Sequence, residues 1–192
     1  MKYFRKKDGK ITTRKGFSFV EVILSVFVLS TGLLSVMALM TSTMRDSMES
    51  RKTIIASGLA QEAAELVINK AEDNIVKGGL TNQFNGLGDN DFYCIGLTAS
   101  GIQYAANCSN FSLFFRDNGQ LFYTHNGGGG GEATLFKRKV VIRSGGVGTD
   151  KQVTSFVWWG NSAAPTLLTL GTCTVSNKCV YAQTLVVDKD GI

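Results

Sequence analysis

The hydrophobic pattern divides the chain into two regimes. From Val22 to Met44 no side chain carries a charge, and most are Val, Leu, Ile, Phe or Met. As a helix this run is about 35 Å long, enough to cross a hydrocarbon core of ~30 Å. Helical periodicity continues beyond it. Ile55, Leu59, Ala63, Leu66 and Val67 recur at one-face spacing, while Arg45, Glu49, Arg51, Lys52, Glu62, Glu65 and Lys70 supply a polar face. Gly78-Gly79, preceded by Lys77, is a stop signal, and Gly58 is a weak point inside the pattern. One helix is therefore predicted from about Phe17 to Lys77, roughly 90 Å if straight.

After Gly79 the pattern changes to short strands between Gly- and Asn-rich turns. Residues 82–91 read as a loop. Strands are predicted at Phe111–Arg116, Gln120–Thr124, Thr134–Arg143, Gln152–Trp159 and Cys179–Val187. Asp117-Asn118-Gly119 is a hairpin turn signal between the first two. The third and fourth flank the Gly-rich segment 144–151 and read as an antiparallel pair. Gly127–Gly131 reads as a flexible hairpin tip, since no helix start or Gly-Lys-Ser/Thr follows it to cradle phosphate. Trp158 and Trp159 are expected to fill the interface between sheet and helix. The predicted class is α+β, a long helix packed on an antiparallel sheet, with segments 1–16, 17–44, 45–78 and 79–192.

Charge alters the picture at one end only. The chain has 192 residues and a formal net charge of +5. Residues 1–16 hold Lys2, Arg5, Lys6, Lys7, Lys10, Arg14 and Lys15 against Asp8. The remainder carries thirteen basic and fourteen acidic side chains, a net charge of −1, so it has no general attraction for a polyanion. Cations ahead of an apolar span predict a cytoplasmic N-terminus and an exported body. The span is too long for a cleaved secretory signal and lacks a small-x-small cleavage site. No Cys precedes Cys94, which argues against a lipoprotein, and no Arg-Arg pair marks a twin-arginine signal.

A plain anchor does not account for Glu21. A carboxylate in a membrane helix costs roughly 2.5–3.5 kcal/mol near the centre and usually has a partner or a function. A cut after Gly16 would give Phe17 a free amine with a pKa of about 7.7–8.0, largely cationic at neutral pH. Phe17 and Glu21 are four apart and share one helix face. The amine of one copy could then neutralise the carboxylate of its neighbour inside an apolar bundle.

Lys15-Gly16-Phe17-Ser18-Phe19-Val20-Glu21-Val22, with its basic leader and long span, resembles the class III signal of type IV pilins and type II secretion pseudopilins. The resemblance covers roughly the first 45 residues. It implies cleavage after Gly16 by prepilin peptidase, methylation of Phe17, and assembly through Glu21. It also implies extraction from the cytoplasmic membrane by an ATPase and a platform protein into a helical filament of pilin subunits, outside the cell or in the periplasm. Gly32-Leu33-Leu34 resembles PilV-like minor pilins, as does a strand ending in Trp. Ala38 stands where many major pilins have Pro, which points away from the abundant subunit. The rival readings are a pseudopilin, a DNA-uptake pilin and a tethered binding domain that never assembles.

Four cysteines, Cys94, Cys108, Cys173 and Cys179, lie in the exported part and predict disulfides. Of three possible pairings, Cys94–Cys108 and Cys173–Cys179 are preferred, the second closing a loop through Ser176-Asn177. In pilins such a C-terminal loop can carry receptor contacts. With one histidine, His125, and no C-x-x-C, neither zinc nor any other cofactor is expected. Asp188 and Asp190 are too slight to indicate calcium. Asp89, Asp91, Asp117 and Asp150 read as solvated turn residues, and no nucleophile motif appears, so no enzyme is expected. Lys137, Arg138, Lys139 and Arg143 form the one basic cluster in the exported part, which strand alternation should split between two faces.

Overall fold

The computed structural model describes residues 16, 18–79, 81, 83–89, 92–98, 101–117, 121–125, 131–145, 150–161, 165, 171 and 173–189. Helix α1 runs from Phe19 to Gly78. Among the described residues seven strands follow: β1 (Phe92–Thr98), β2 (Gly101–Ala106), β3 (Ser112–Asp117), β4 (Leu121–Thr124), β5 (Glu132–Ser144), β6 (Lys151–Trp159) and β7 (Cys179–Val186). The fold is α+β, with an antiparallel sheet as expected. The chain forms two compact units that meet within α1, one ending at Met48 and the other running from Glu49 to Ile192.

In the second unit, β5 is the spine of the sheet. One of its edges pairs with β6 over nine successive positions, from Phe136↔Trp159 to Ser144↔Lys151. Its other edge is shared by β1 near Val140 and Val141 and by β3 from Glu132 to Lys137. β2 extends β1, β4 extends β3, and β7 extends β6. The predicted β3–β4 hairpin and β5–β6 pair are present. The Gly127–Gly131 run differs from its expectation. It joins β4 to β5, which do not pair, because β3 lies between them; residues 126–130 themselves lie outside the described set.

Strand alternation gives β5 two working faces. Phe136, Val140 and Ile142 face α1, together with Val153, Val157 and Trp159 of β6. The helix meets them with Ala56, Leu59, Ala60, Ala63, Leu66, Val67 and Ala71. The predicted stripe is therefore correct at four positions, but Ile55 is exposed and Ala56 replaces it. Alanines at the contact let the helix backbone approach the strands closely. On the opposite face, Val141, Phe156 and Trp158 are covered by Cys173, Cys179 and Phe111. Trp158 thus departs from its expected place at the helix. Adjacent positions on a strand point to opposite faces, so only Trp159 can fill the helix interface.

Both disulfides follow the preferred pairing, Cys94–Cys108 and Cys173–Cys179. Between the latter pair, Val175–Asn177 form a 3-10 turn capped by Thr174. Replacing both Cys94 and Cys108 by Ser is expected to lower unfolding stability by about 3 kcal/mol, and the shorter Cys173–Cys179 loop by about 2 kcal/mol. Thermal unfolding of the detergent-solubilised chain, compared with wild type, measures both.

Candidate assembly site

The first unit presents an exposed, apolar helix surface. Ser18 precedes α1, and its carbonyl accepts hydrogen bonds from Glu21 N at 2.9 Å and Val22 N at 3.2 Å. The helix therefore starts two residues later than expected. Gly16 is exposed, and Phe17 lies outside the described residues. From Phe19 to Met44 the large apolar side chains are 49–78% exposed. α1 is long and apolar enough to cross a membrane, consistent with single-pass anchoring.

Five of the hydroxyls within this surface bond back to the helix. Ser25 donates to Glu21 O, Ser30 to Val26 O, Ser35 to Thr31 O, Thr41 to Met37 O and Thr43 to Leu39 O, at 2.7–2.9 Å. Such back-bonding lets Ser and Thr enter hydrocarbon with no unmet donor. Glu21 has no such recourse, because a carboxylate has no proton to donate to a helix carbonyl. It is exposed in the first turn of α1, and among the described residues no cation pairs with it.

At Glu49 the helix meets the sheet. Glu49 Oε2 accepts from Trp159 Nε1 at 3.2 Å, and its Oε1 accepts from Lys52 Nζ at 2.8 Å. These two donors, the lysine first, lower the Glu49 pKa below the usual carboxylate range. About three turns further along α1 lies a buried cation. Arg138 of β5 is fully buried; its Nη1 donates to Leu59 O at 3.1 Å, and its Nη2 donates to Ile95 O of β1. Nη1 also lies 3.4 Å from Glu62 Oε1. Burial pushes the guanidinium pKa down, opposed by the Glu62 carboxylate. One side chain thus ties helix, spine and β1 together.

The basic cluster is divided as alternation predicts. Arg138 faces α1. Lys139 lies on the other face, its Nζ 4.7 Å from the Phe92 ring centroid and 5.6 Å from that of Phe111. A continuous basic surface for a polyanion is therefore not formed by these residues. Among the acidic turn residues, Asp89 pairs with Lys151 at 2.7 Å, and Asp150 accepts from Asp188 N at 2.8 Å. Asp91 and Asp190 lie outside the described residues. Among the described residues, no group of three His, Cys, Asp or Glu side chains is placed to hold a metal ion.

Comparisons with protein families, with characterised proteins and with solved structures return no match. The functional reading therefore rests on the residues themselves.

His125 follows β4 beside the Cys94–Cys108 bridge. Burial, reinforced by the charge of Arg138, pushes its pKa down to about 4. The folded state therefore holds it neutral, whereas the unfolded chain protonates it below about 6.5. Its contribution is full above pH 6.5 and is lost as pH falls from 6.5 toward 4, because there the unfolded chain binds the extra proton. The expected loss is roughly 3 kcal/mol across that window, and His125→Leu should flatten it. Unfolding midpoints measured from pH 7.5 to 4.0 for both chains check this.

Proposed function

We propose that this chain is a structural subunit of a type IV pilus-like filament. It is processed by prepilin peptidase after Gly16 and assembled through its N-terminal helix. The observation that carries the reading is Glu21, the one carboxylate between Phe19 and Met44, exposed on an apolar helix and without a cation partner among the described residues. A lipid-anchored domain gains nothing from that charge. A subunit that exchanges lipid for neighbouring helices gains a partner, the amine of an adjacent Phe17 created by the cut. Before assembly the chain sits in the cytoplasmic membrane with its leader inside; afterwards the α+β domain coats the fibre.

Membrane co-expression with a prepilin peptidase tests the processing step. The wild-type chain is expected to shorten by its leader, and Gly16→Asp to remain full length in the membrane. Shortening of the Gly16→Asp chain at the same bond, or persistence of the wild-type leader, contradicts the reading. A pseudopilin shares the helix and the cut. Recovery from the periplasm alone, with no long fibre, selects that rival.

A further inference from the structure

Among the described residues, two edges of the sheet lack the usual protection. Exposed edge strands are normally blunted by charges, Pro or bulges, because bare N–H and C=O groups recruit other strands. β7 has no charged residue and no Pro, and its eight residues pair with β6 in unbroken register. β2 likewise has no charge and no Pro, and its six residues pair with β1 in unbroken register. The register shift in this sheet lies elsewhere, between β3 and β5. The third edge, β4, is closed from within: a Cβ on Gly96 of β1 would lie 3.1 Å from Thr124 Cα.

The two bare edges complement one another. Beside β7, a groove of about 530 Å³ separates the strand from α1, lined on the helix side by Ser57, Gln61, Ala64, Glu65 and Ile68. Glu65 is exposed there. Beside β2, the cation Lys70 lies over Tyr104, its Nζ 5.0 Å from the ring centroid. Both charges are on the helix side of the sheet, so an acid flanks one edge and a base flanks the other. On β2 that same side carries Ile102, which packs with the core under α1, and Tyr104. Along β2-β1-β5-β6-β7 every pairing is antiparallel, so β2 and β7 run in the same direction. Copies inserted with one topology can therefore continue the sheet by laying β2 of one parallel to β7 of the next.

We infer that the β7 edge and its groove receive the β2 edge of a second copy of this chain, with Glu65 meeting Lys70 across the contact. The contact is heterologous, so it does not close on itself and propagates along a row of copies. It deepens the filament reading above and shares its premise of same-sense insertion. It places copies side by side, unlike a subunit present once in a fibre.

Exposed Gln103 and Gln183 lie one on each edge and serve as probes. The full chain carrying Gln103→Cys and Gln183→Cys is treated in intact cells with a short bismaleimide. A ladder of covalent multimers is expected, and none from either single variant. Glu65→Lys or Lys70→Glu should each lower the ladder several-fold, and the double exchange should restore it. A ladder in the membrane without fibres sustains the pairing and removes the filament reading. Fibres that contain the chain but give no ladder overturn the pairing and leave the filament reading intact. A ladder from one cysteine alone, or no restoration in the double exchange, overturns the pairing. Absence of both ladder and fibres overturns both.

Discussion

Glu21→Ala is expected to leave the chain inserted and cleaved in the membrane but to reduce its recovery in sheared fibres to less than about a tenth. The physical reason is a difference between two environments. In lipid the substitution removes a burden of roughly 2.5–3.5 kcal/mol, less near the membrane edge, so insertion is no worse. In a bundle of helices the carboxylate gains a cation in a medium of low dielectric, and losing it leaves the neighbour's amine buried and unpaired. Breaking a buried pair by removing one partner costs about 3–5 kcal/mol. That exceeds the 1.4 kcal/mol needed for a tenfold shift. Glu21→Gln preserves shape without charge and should fail in the same direction. Equal yields of wild type and Glu21→Ala, in membrane and medium alike, would support the tethered domain instead.

Arg138→Ala is expected to lower the stability of the α+β unit by about 3–5 kcal/mol. At this size that is a fall of about 10 °C or more in the unfolding midpoint. The substitution removes the donor to Leu59 O and Ile95 O and leaves a cavity between helix and sheet. It also releases Glu62 from its partner. The charge itself is not what the fold requires. Arg138→Met combined with Glu62→Leu fills the space with apolar atoms and removes both ions, and such replacements are often neutral or stabilising. The double variant should therefore recover most of the loss. Thermal unfolding of the three chains in detergent, followed by circular dichroism, compares them. A double variant as unstable as Arg138→Ala would show that the backbone hydrogen bonds, rather than the burial of an ion, carry the energy.

Local signals made some of this structure legible, and non-local pairing hid the rest. The helix could be read because an uncharged run and a 3.6-residue stripe are continuous along the chain. The β5–β6 pair could be read because its strands flank one Gly-rich link. β1 and β2 were not predicted. In β1, Tyr93, Cys94, Ile95 and Gly96 are all buried, so it shows no alternation. β2 is a short exposed edge whose alternation is confined to Ile102 and Tyr104, too few positions to mark a strand. The link from β4 to β5 looked like a hairpin because turn residues do not reveal that β3 intervenes. Arg138 carried a signal that was available: it falls in step with Phe136, Val140 and Ile142, which are core positions. Reading it as one of four neighbouring bases obscured that step. In the helix, the shift from Ile55 to Ala56 reflects close approach to the sheet, which favours the smaller side chain.

The proposed assembly residues Gly16, Phe17 and Glu21 lie on one short segment, so their spacing is read along the chain alone. The Glu49–Trp159 bond could not be read this way, since its partners are 110 residues apart. The edges of the sheet could not be located before the strand order was known.

Mass spectrometry of the N-terminal peptide of the protein, recovered from sheared extracellular material, tests the central claim most directly. The account predicts a peptide that begins at Phe17, carries one methyl group on its amine, and is found in the filament fraction. An intact Met1, with the protein confined to the membrane, contradicts it.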